Sequence, residues 1–339
     1  MTTSEPVGSM IHVRGLAKTY TGRKEPVHAV RGVDLDVTAG EIVGFLGPNG
    51  AGKTTTLQML TTLLEPTSGE ARVAGHDLRT DPAGVRRSIG YVAQGGSAGS
   101  DARVGEEMLY QGRFYGLTRP EAQRRTDELL ERLDLGGLAG RDVKTLSGGQ
   151  KRRLDIALGL VHSPALVFLD EPTTGLDPQS RSNMWGHIAG LRTRAGTTVF
   201  ITTHYLDEAD ALCDRVLVID DGRIIATGTP DELKRQVSGD LVALGVTGDP
   251  GEVLVLARRL PGATEPAVEP APAAGLASAG GAGASRVTFR VPDGERVVIS
   301  LLHDLESAGV ALTGVSVHRP TLDDVFLTLT GRTLREEAA

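Results

Sequence analysis

Cysteine is almost absent from this sequence: Cys213 stands alone among 339 residues. A single thiol closes no internal disulfide, so nothing points to an oxidising compartment, and Cys213 reads as a small buried hydrophobe. Long apolar runs are missing too. No stretch approaches the roughly 20 apolar residues that a membrane-spanning helix needs. The polar opening, MTTSEPVGSM, lacks the apolar core of a signal peptide. The sequence therefore predicts no membrane channel of its own, and a transport role would require a separate membrane-embedded protein. Nor is there an excess of positive charge: 36 Lys and Arg face 43 Asp and Glu, a net charge of −7. A nucleic-acid binder wants a basic surface, so this balance argues against nucleic acid as a partner.

What is present in excess is glycine, 44 residues of 339, nearly twice the usual share of about 7%. Turns, phosphate loops and linkers are the places that absorb it. The length suggests two domains at about 150 residues each. Short β-rich runs fall at 11–13, 33–37, 41–46, 89–92, 166–169, 198–202, 216–219 and 223–226, with helical patterns at 54–63, 119–133 and 149–161. This alternation predicts an α/β fold with a mainly parallel core sheet over residues 1–235. A short helical segment at 231–237 closes it. Beyond it, strands at 241–246, 287–291 and 310–318 and helices at 252–260, 297–308 and 322–330 predict a small α+β accessory domain at 236–339. The Pro/Ala/Gly-rich stretch 261–285 reads as a flexible insert in that domain. Thr321 and Asp324 resemble a capping box opening the last helix.

The strand at 41–46 runs directly into Gly47, Pro48, Asn49, Gly50, Ala51, Gly52, Lys53 and Thr54, a full match to G-x-x-x-x-G-K-[ST] between a strand and a helix. Composition alone gives on the order of 10⁻² such matches in a chain of this kind. The chemistry requires these residue types. Glycines let the backbone curl so that successive N–H groups point at phosphate oxygens. The following helix adds its positive end, Lys53 neutralises phosphate charge, and the Thr54 hydroxyl can ligate Mg²⁺. This is a nucleotide-phosphate site. A second run, 165–169, is apolar and closes on Asp170 and Glu171. A buried parallel strand delivers its last residues to the ligand-binding edge of the sheet, so Asp170 would face Mg²⁺ and Glu171 would polarise a water.

Leu146-Ser147-Gly148-Gly149-Gln150 completes the set. With 47–55, which adds Thr55, and 169–171, it makes the chain resemble the ATP-binding subunits of ABC transporters over about residues 10–230. The resemblance implies a P-loop ATPase cassette with an antiparallel β part and a helical signature subdomain at about 95–160. It implies that Gln94 is the Q-loop glutamine and a Mg²⁺ ligand, Asp177 the D-loop aspartate, His204 the switch histidine and Tyr20 an adenine-stacking aromatic. Read from the residues, Ser147-Gly148-Gly149 opens a helix with a hydroxyl and backbone N–H groups, a second anion cradle. In the family the two cradles meet across a head-to-tail homodimer, with ATP clamped between the phosphate loop of one subunit and the signature of the other.

A finer resemblance, carried by 146–157, the small C-terminal domain and the closing 320–327, is to the drug-resistance ATPase group typified by the daunorubicin/doxorubicin exporter subunit. It implies ATP hydrolysis coupled to export of a drug, antibiotic or other amphipathic compound. The export path would be an ABC-2-type permease on a separate chain, at the cytoplasmic face of the membrane. Residues 95–107 depart from the Leu-Thr-Gly-Arg-Glu run usual there, a departure that bears on the partner and not on the ATPase. Lipid or polysaccharide export is the alternative. A soluble, non-transport ABC ATPase fits less well, because the chain holds one cassette and no long coiled-coil insertion.

Overall fold

The first strands alternate between core and solvent: β1 (Ser9–Tyr20) pairs antiparallel with β2 (Val27–Thr38), which buries Val30, Val33, Leu35 and Val37. β3 (Ile42–Leu46) is apolar and buried along its whole length, as a strand covered on both faces must be. After it come α1 (Lys53–Leu60), β4 (Ser68–Val73), β5 (His76–Asp77), α2 (Pro82–Ser88) and β6 (Ile89–Val92). A helical group follows: α3 (Val104–Phe114), α4 (Arg119–Arg132), a single 3₁₀ turn at Val143–Thr145, and α5 (Gly148–Leu160). Capping boxes start two of these helices, Thr118 with Glu121 on α4 and Ser147 with Gln150 on α5. β7 (Leu166–Asp170), α6 (Pro178–Ala195), β8 (Thr198–Thr203), α7 (Leu206–Leu212), β9 (Arg215–Asp220) and β10 (Arg223–Gly228) complete the first part.

These strands form two sheets. One is antiparallel, in the order β2-β1-β4-β5. The other runs β10-β9-β3-β8-β7-β6, parallel from β9 to β6 with β10 antiparallel at the edge. Parallel pairing brings the carboxyl ends of β3, β6, β7 and β8 to one edge. The register sets neighbours there: Leu46 lies opposite Thr203, Asp170 opposite Thr202, and Val92 opposite Leu169. The residues that follow these ends are Gly47, His204, Glu171 and, two places on, Gln94. Cys213 is buried where Gly44 leaves room for its sulfur, and burial pushes its thiol pKa up.

The computed structural model describes residues 8–21, 25–96, 98–99, 101–237, 239–247, 249–270 and 284–331. Its contacts divide into two units between Pro230 and Asp231, with α8 (Pro230–Arg235) at the division. The second unit contains β11 (Asp240–Thr247), α9 (Gly251–Arg259), β12 (Thr264–Pro270), β13 (Ala284–Val291), α10 (Gly294–Ser307), β14 (Leu312–His318) and α11 (Leu322–Thr330). Its sheet is antiparallel, in the order β12-β13-β11-β14. Here the composition misleads in part. The stretch 261–285 reads as a flexible insert, yet Thr264–Pro270 is a strand pairing with β13. It lies at the sheet edge, where a proline's missing N–H breaks no ladder. Residues 271–283 lie outside the described residues. On α11, Leu322, Val325 and Phe326 are buried while Leu329 is exposed, and Thr321 and Asp324 do form the capping box.

Val242, Leu244, Val253, Phe289, Leu301 and Leu305 belong to a core that lies wholly within the second unit. Phe289→Ala should therefore destabilise that unit by about 3–5 kcal/mol and leave the nucleotide affinity of the chain unchanged. Denaturant unfolding followed beside nucleotide titration checks this. A parallel loss of nucleotide affinity would contradict separate cores.

A candidate active site at the carboxyl edge of the parallel sheet

The turn after β3 is possible because two of its residues have no side chain. A Cβ on Gly47 would lie 2.2 Å from the Ile219 carbonyl oxygen, and one on Gly52 would lie 2.5 Å from that of Ala29. Gly52 also takes φ +102°, a left-handed conformation open to glycine, at the N-cap of α1. The loop curls around Lys53, which is 4% exposed. Its Nζ donates to the carbonyls of Gly47 at 2.8 Å and Pro48 at 2.9 Å. The same nitrogen lies 3.5 Å from Glu171 Oε1. An ammonium buried this way is a fixed positive charge inside a ring of loop backbone.

Asp170 ends β7 in a buried position, its Oδ1 accepting from Thr202 Oγ1 at 2.5 Å and from Thr54 Oγ1 at 3.4 Å. Burial raises its pKa and the neighbouring Glu171 charge adds to this, against the hydroxyl bonds and Lys53. Glu171 is also buried, and its backbone sits at φ +43°, unusual for any residue but glycine. Its N–H is held by the Thr202 carbonyl and hydroxyl, each at 3.1 Å. Burial would raise the Glu171 carboxyl, but His204, Lys53 and Thr174 outweigh it and hold the group below the usual carboxylate range. Glu171 is thus charged and surrounded: Gln94 Nε2 donates to Oε2 at 2.9 Å, Thr174 Oγ1 donates to Oε2 at 3.2 Å, and His204 Nδ1 lies 3.2 Å from Oε1. That His204 nitrogen is buried against the carboxylate, in close contact without hydrogen-bond alignment.

Lys53, Thr54, Gln94, Asp170, Glu171 and His204 therefore form one connected cluster at the sheet edge. Tyr20 ends β1 and pairs with Val27, two residues before the Ala29 carbonyl that abuts Gly52, and its ring is 43% exposed. The signature segment is elsewhere. Ser147 and Gly148 are exposed, and Ser147 and Gln150 cap each other, with Ser147 N–H donating to Gln150 Oε1 at 3.0 Å and Gln150 N–H to Ser147 Oγ at 3.3 Å. Asp177 caps α6 through Ser180, the bonds that lower its pKa. Among the described residues, no hydrogen bond or ion pair joins Ser147 or Asp177 to the phosphate loop.

Phosphates and a divalent cation suit this chemistry. Gly50 and Gly52 take φ of +81° and +102°, the left-handed conformation by which a loop can turn backbone N–H groups toward an anion. Asp170 and Thr54 offer hard oxygens 3.4 Å apart. Among the described residues no three His, Cys, Asp or Glu cluster as a complete metal cage. Mg²⁺ binds through one or two protein oxygens together with phosphate and water, and Asp170 and Thr54 are two such oxygens.

Sequence reasoning missed Thr202, which holds both Asp170 and Glu171, and Arg152, whose guanidinium reaches three backbone carbonyls. Arg152 sits in a basic triplet, 151–153. The available signal was its place four residues before Ile156, on the apolar side of the helix.

The profile of the family described as "ABC transporter" matches residues 30–174. The doxorubicin resistance ATP-binding protein of Mycobacterium tuberculosis is 42% identical, over 94% of this chain and 92% of its own length. The daunorubicin/doxorubicin resistance ATP-binding protein of Streptomyces peucetius is 41% identical, over 95% and 92%. Among solved structures, a dimeric post-hydrolysis state of an ATP-binding cassette bound to ADP and phosphate is 27% identical. It superposes with a TM-score of 0.60 over 65% of this chain and 98% of that one.

Proposed function

The chain belongs to the ABC transporter family and is an ATPase, and from that premise we propose that it drives a drug exporter. Two copies close head to tail over two ATP molecules, and an ABC-2-type permease on a separate chain carries the compound. The subunit sits peripherally on the cytoplasmic face of the membrane; no helix among the described residues is long and apolar enough to cross one. Relatives of about 40% identity over nearly the full chain, named for doxorubicin and daunorubicin resistance, support the drug-export reading. The observation that carries the mechanism is the connected cluster around Glu171, set against an exposed Ser147 in the same chain.

In this reading Lys53 and the loop N–H groups of residues 47–55 hold the β- and γ-phosphates. Tyr20 stacks on adenine. Mg²⁺, when bound by Asp170, Thr54 and Gln94, neutralises phosphate charge. Glu171 takes the proton of the attacking water, its charge secured by Lys53 and His204, and Gln94 orients that water. His204 donates a ring N–H to the γ-phosphate as charge builds there. Ser147, Gly148, Gly149 and Gln150, with Asp177, reach the γ-phosphate held by the partner subunit. The permease docks on 94–115, where Tyr110 and Phe114 are 69% and 84% exposed.

Co-expression with its permease in drug-sensitive cells tests the reading. The wild-type chain should lower intracellular doxorubicin, and Lys53→Ala should abolish the effect. Equal accumulation in both, with ATPase activity intact in the wild type, would reject drug export.

A further inference from the structure

Arg152 is 8% exposed and lies five residues beyond Ser147 on α5. A buried guanidinium cannot shed its proton and is costly unless its donors are satisfied. Its donors go to main chain: Nε to the Pro172 carbonyl at 2.8 Å, Nη2 to that of Asp170 at 2.8 Å, and Nη1 to that of Ala93 at 2.5 Å. The placement is selective. The Asp170 and Pro172 carbonyls flank Glu171, whose φ of +43° must be imposed from outside. Ala93 immediately precedes Gln94. A second bond from the same helix falls on the far side of Gln94, where Ala98 N–H donates to Asp155 Oδ1 at 3.2 Å. One face of α5 thus grips the main chain on both sides of Glu171 and on both sides of Gln94.

We infer that Arg152 is a positioning residue for ATP hydrolysis, fixing Glu171 and Gln94 against each other and tying both to the helix that begins at the signature. The inference rests on the proposed role of Glu171. A planar fork with donors aimed in three directions does this, whereas a lysine ammonium offers one point charge. The 2.9 Å bond from Gln94 to Glu171 is the contact that depends on it. Helix α5 carries Ser147 at its N-cap and Arg152 about a turn and a half later, so movement of the signature moves the Glu171 turn with it.

The test uses the full-length chain and a double-mutant cycle. Arg152→Gln should lower kcat by roughly 10–100-fold, the size usual for loss of a supporting contact. Affinity for ATP without Mg²⁺ should stay near wild type, the thermal midpoint should fall while the chain remains folded because three carbonyls lose their donor, and Arg152→Lys should recover part of the rate. In a Glu171→Gln background, Arg152→Gln should cost less than about threefold further, read by single-turnover release of labelled phosphate, because residues acting as a unit are not additive. Full additivity in the cycle, a loss of ATP affinity matching the loss of kcat, or failure of both Arg152 variants to fold would each overturn the positioning role. Glu171→Gln turning over at the wild-type rate would instead remove the reading of the site, and this inference with it.

Discussion

Glu171→Gln should still bind ATP and should lose turnover by about 10²–10⁴-fold, the contribution of a positioned general base. Gln has nearly the shape of Glu and can keep partners among Gln94, Thr174 and His204, all of which lie within 3.2 Å of the present carboxylate. What it lacks is negative charge and basicity. The wild-type carboxyl is held charged by its neighbours although it is buried, so the substitution removes a base that is ready at neutral pH. With hydrolysis blocked and the phosphate cradle intact, ATP should hold the dimer closed. Size-exclusion chromatography with ATP should then show a dimer that the wild-type chain does not accumulate. A normal hydrolysis rate would take Glu171 out of the catalytic role.

The second large effect tests whether each site is composite. Lys53→Ala removes the buried ammonium around which the loop curls. Ser147→Arg leaves the loop alone and puts a bulky cation at an exposed position far along the chain. Each homodimer has two damaged sites and should trap almost no ATP. In a head-to-tail mixed dimer both lesions fall on one site and the other is intact. Trapping should return on mixing, at about one nucleotide per mixed dimer, whatever the coupling does to hydrolysis. The geometry motivates this: among the described residues, no hydrogen bond or ion pair joins Ser147 to the loop of its own chain. No recovery, with mixed dimers demonstrated independently, would reject the head-to-tail sandwich.

Much of the candidate site was legible before any coordinates because its chemistry leaves local traces. The phosphate loop needs glycine where a Cβ would meet a carbonyl, as at Gly47 and Gly52, and a lysine and hydroxyl at fixed spacing. Strands buried on both faces show as unbroken apolar runs, so 166–169 was readable as a core strand running into two carboxylates, and the strand is Leu166–Asp170. Composition failed where it averaged over neighbours. Two prolines and three alanines or glycines within 261–267 look like linker, yet an edge strand needs only one side of its backbone paired, and Thr264–Pro270 supplies it. Nothing in the basic triplet at 151–153 marks one of its members as buried, for a related reason. Charge predicts exposure on average, whereas a single arginine is buried when carbonyls meet its fork, as they meet Arg152.

By itself, then, the sequence determined the local pieces: a phosphate loop at 47–54, an acidic strand end at 170–171, two helix-opening signatures and the division into a larger α/β part and a smaller α+β part. These follow from spacing and periodicity, which are properties of neighbouring residues. Tertiary structure alone decided which pieces touch. Parallel register carries Gln94, Glu171 and His204, separated by 77 and 33 positions in the chain, to one edge within 3.2 Å of each other's partners. Among the described residues it joins Ser147 to Gln150 of its own helix and makes no hydrogen bond or ion pair from it to the loop of its own subunit. Such contacts depend on strand order and helix packing, which are set by how buried faces meet across the whole unit and leave no mark at any one position.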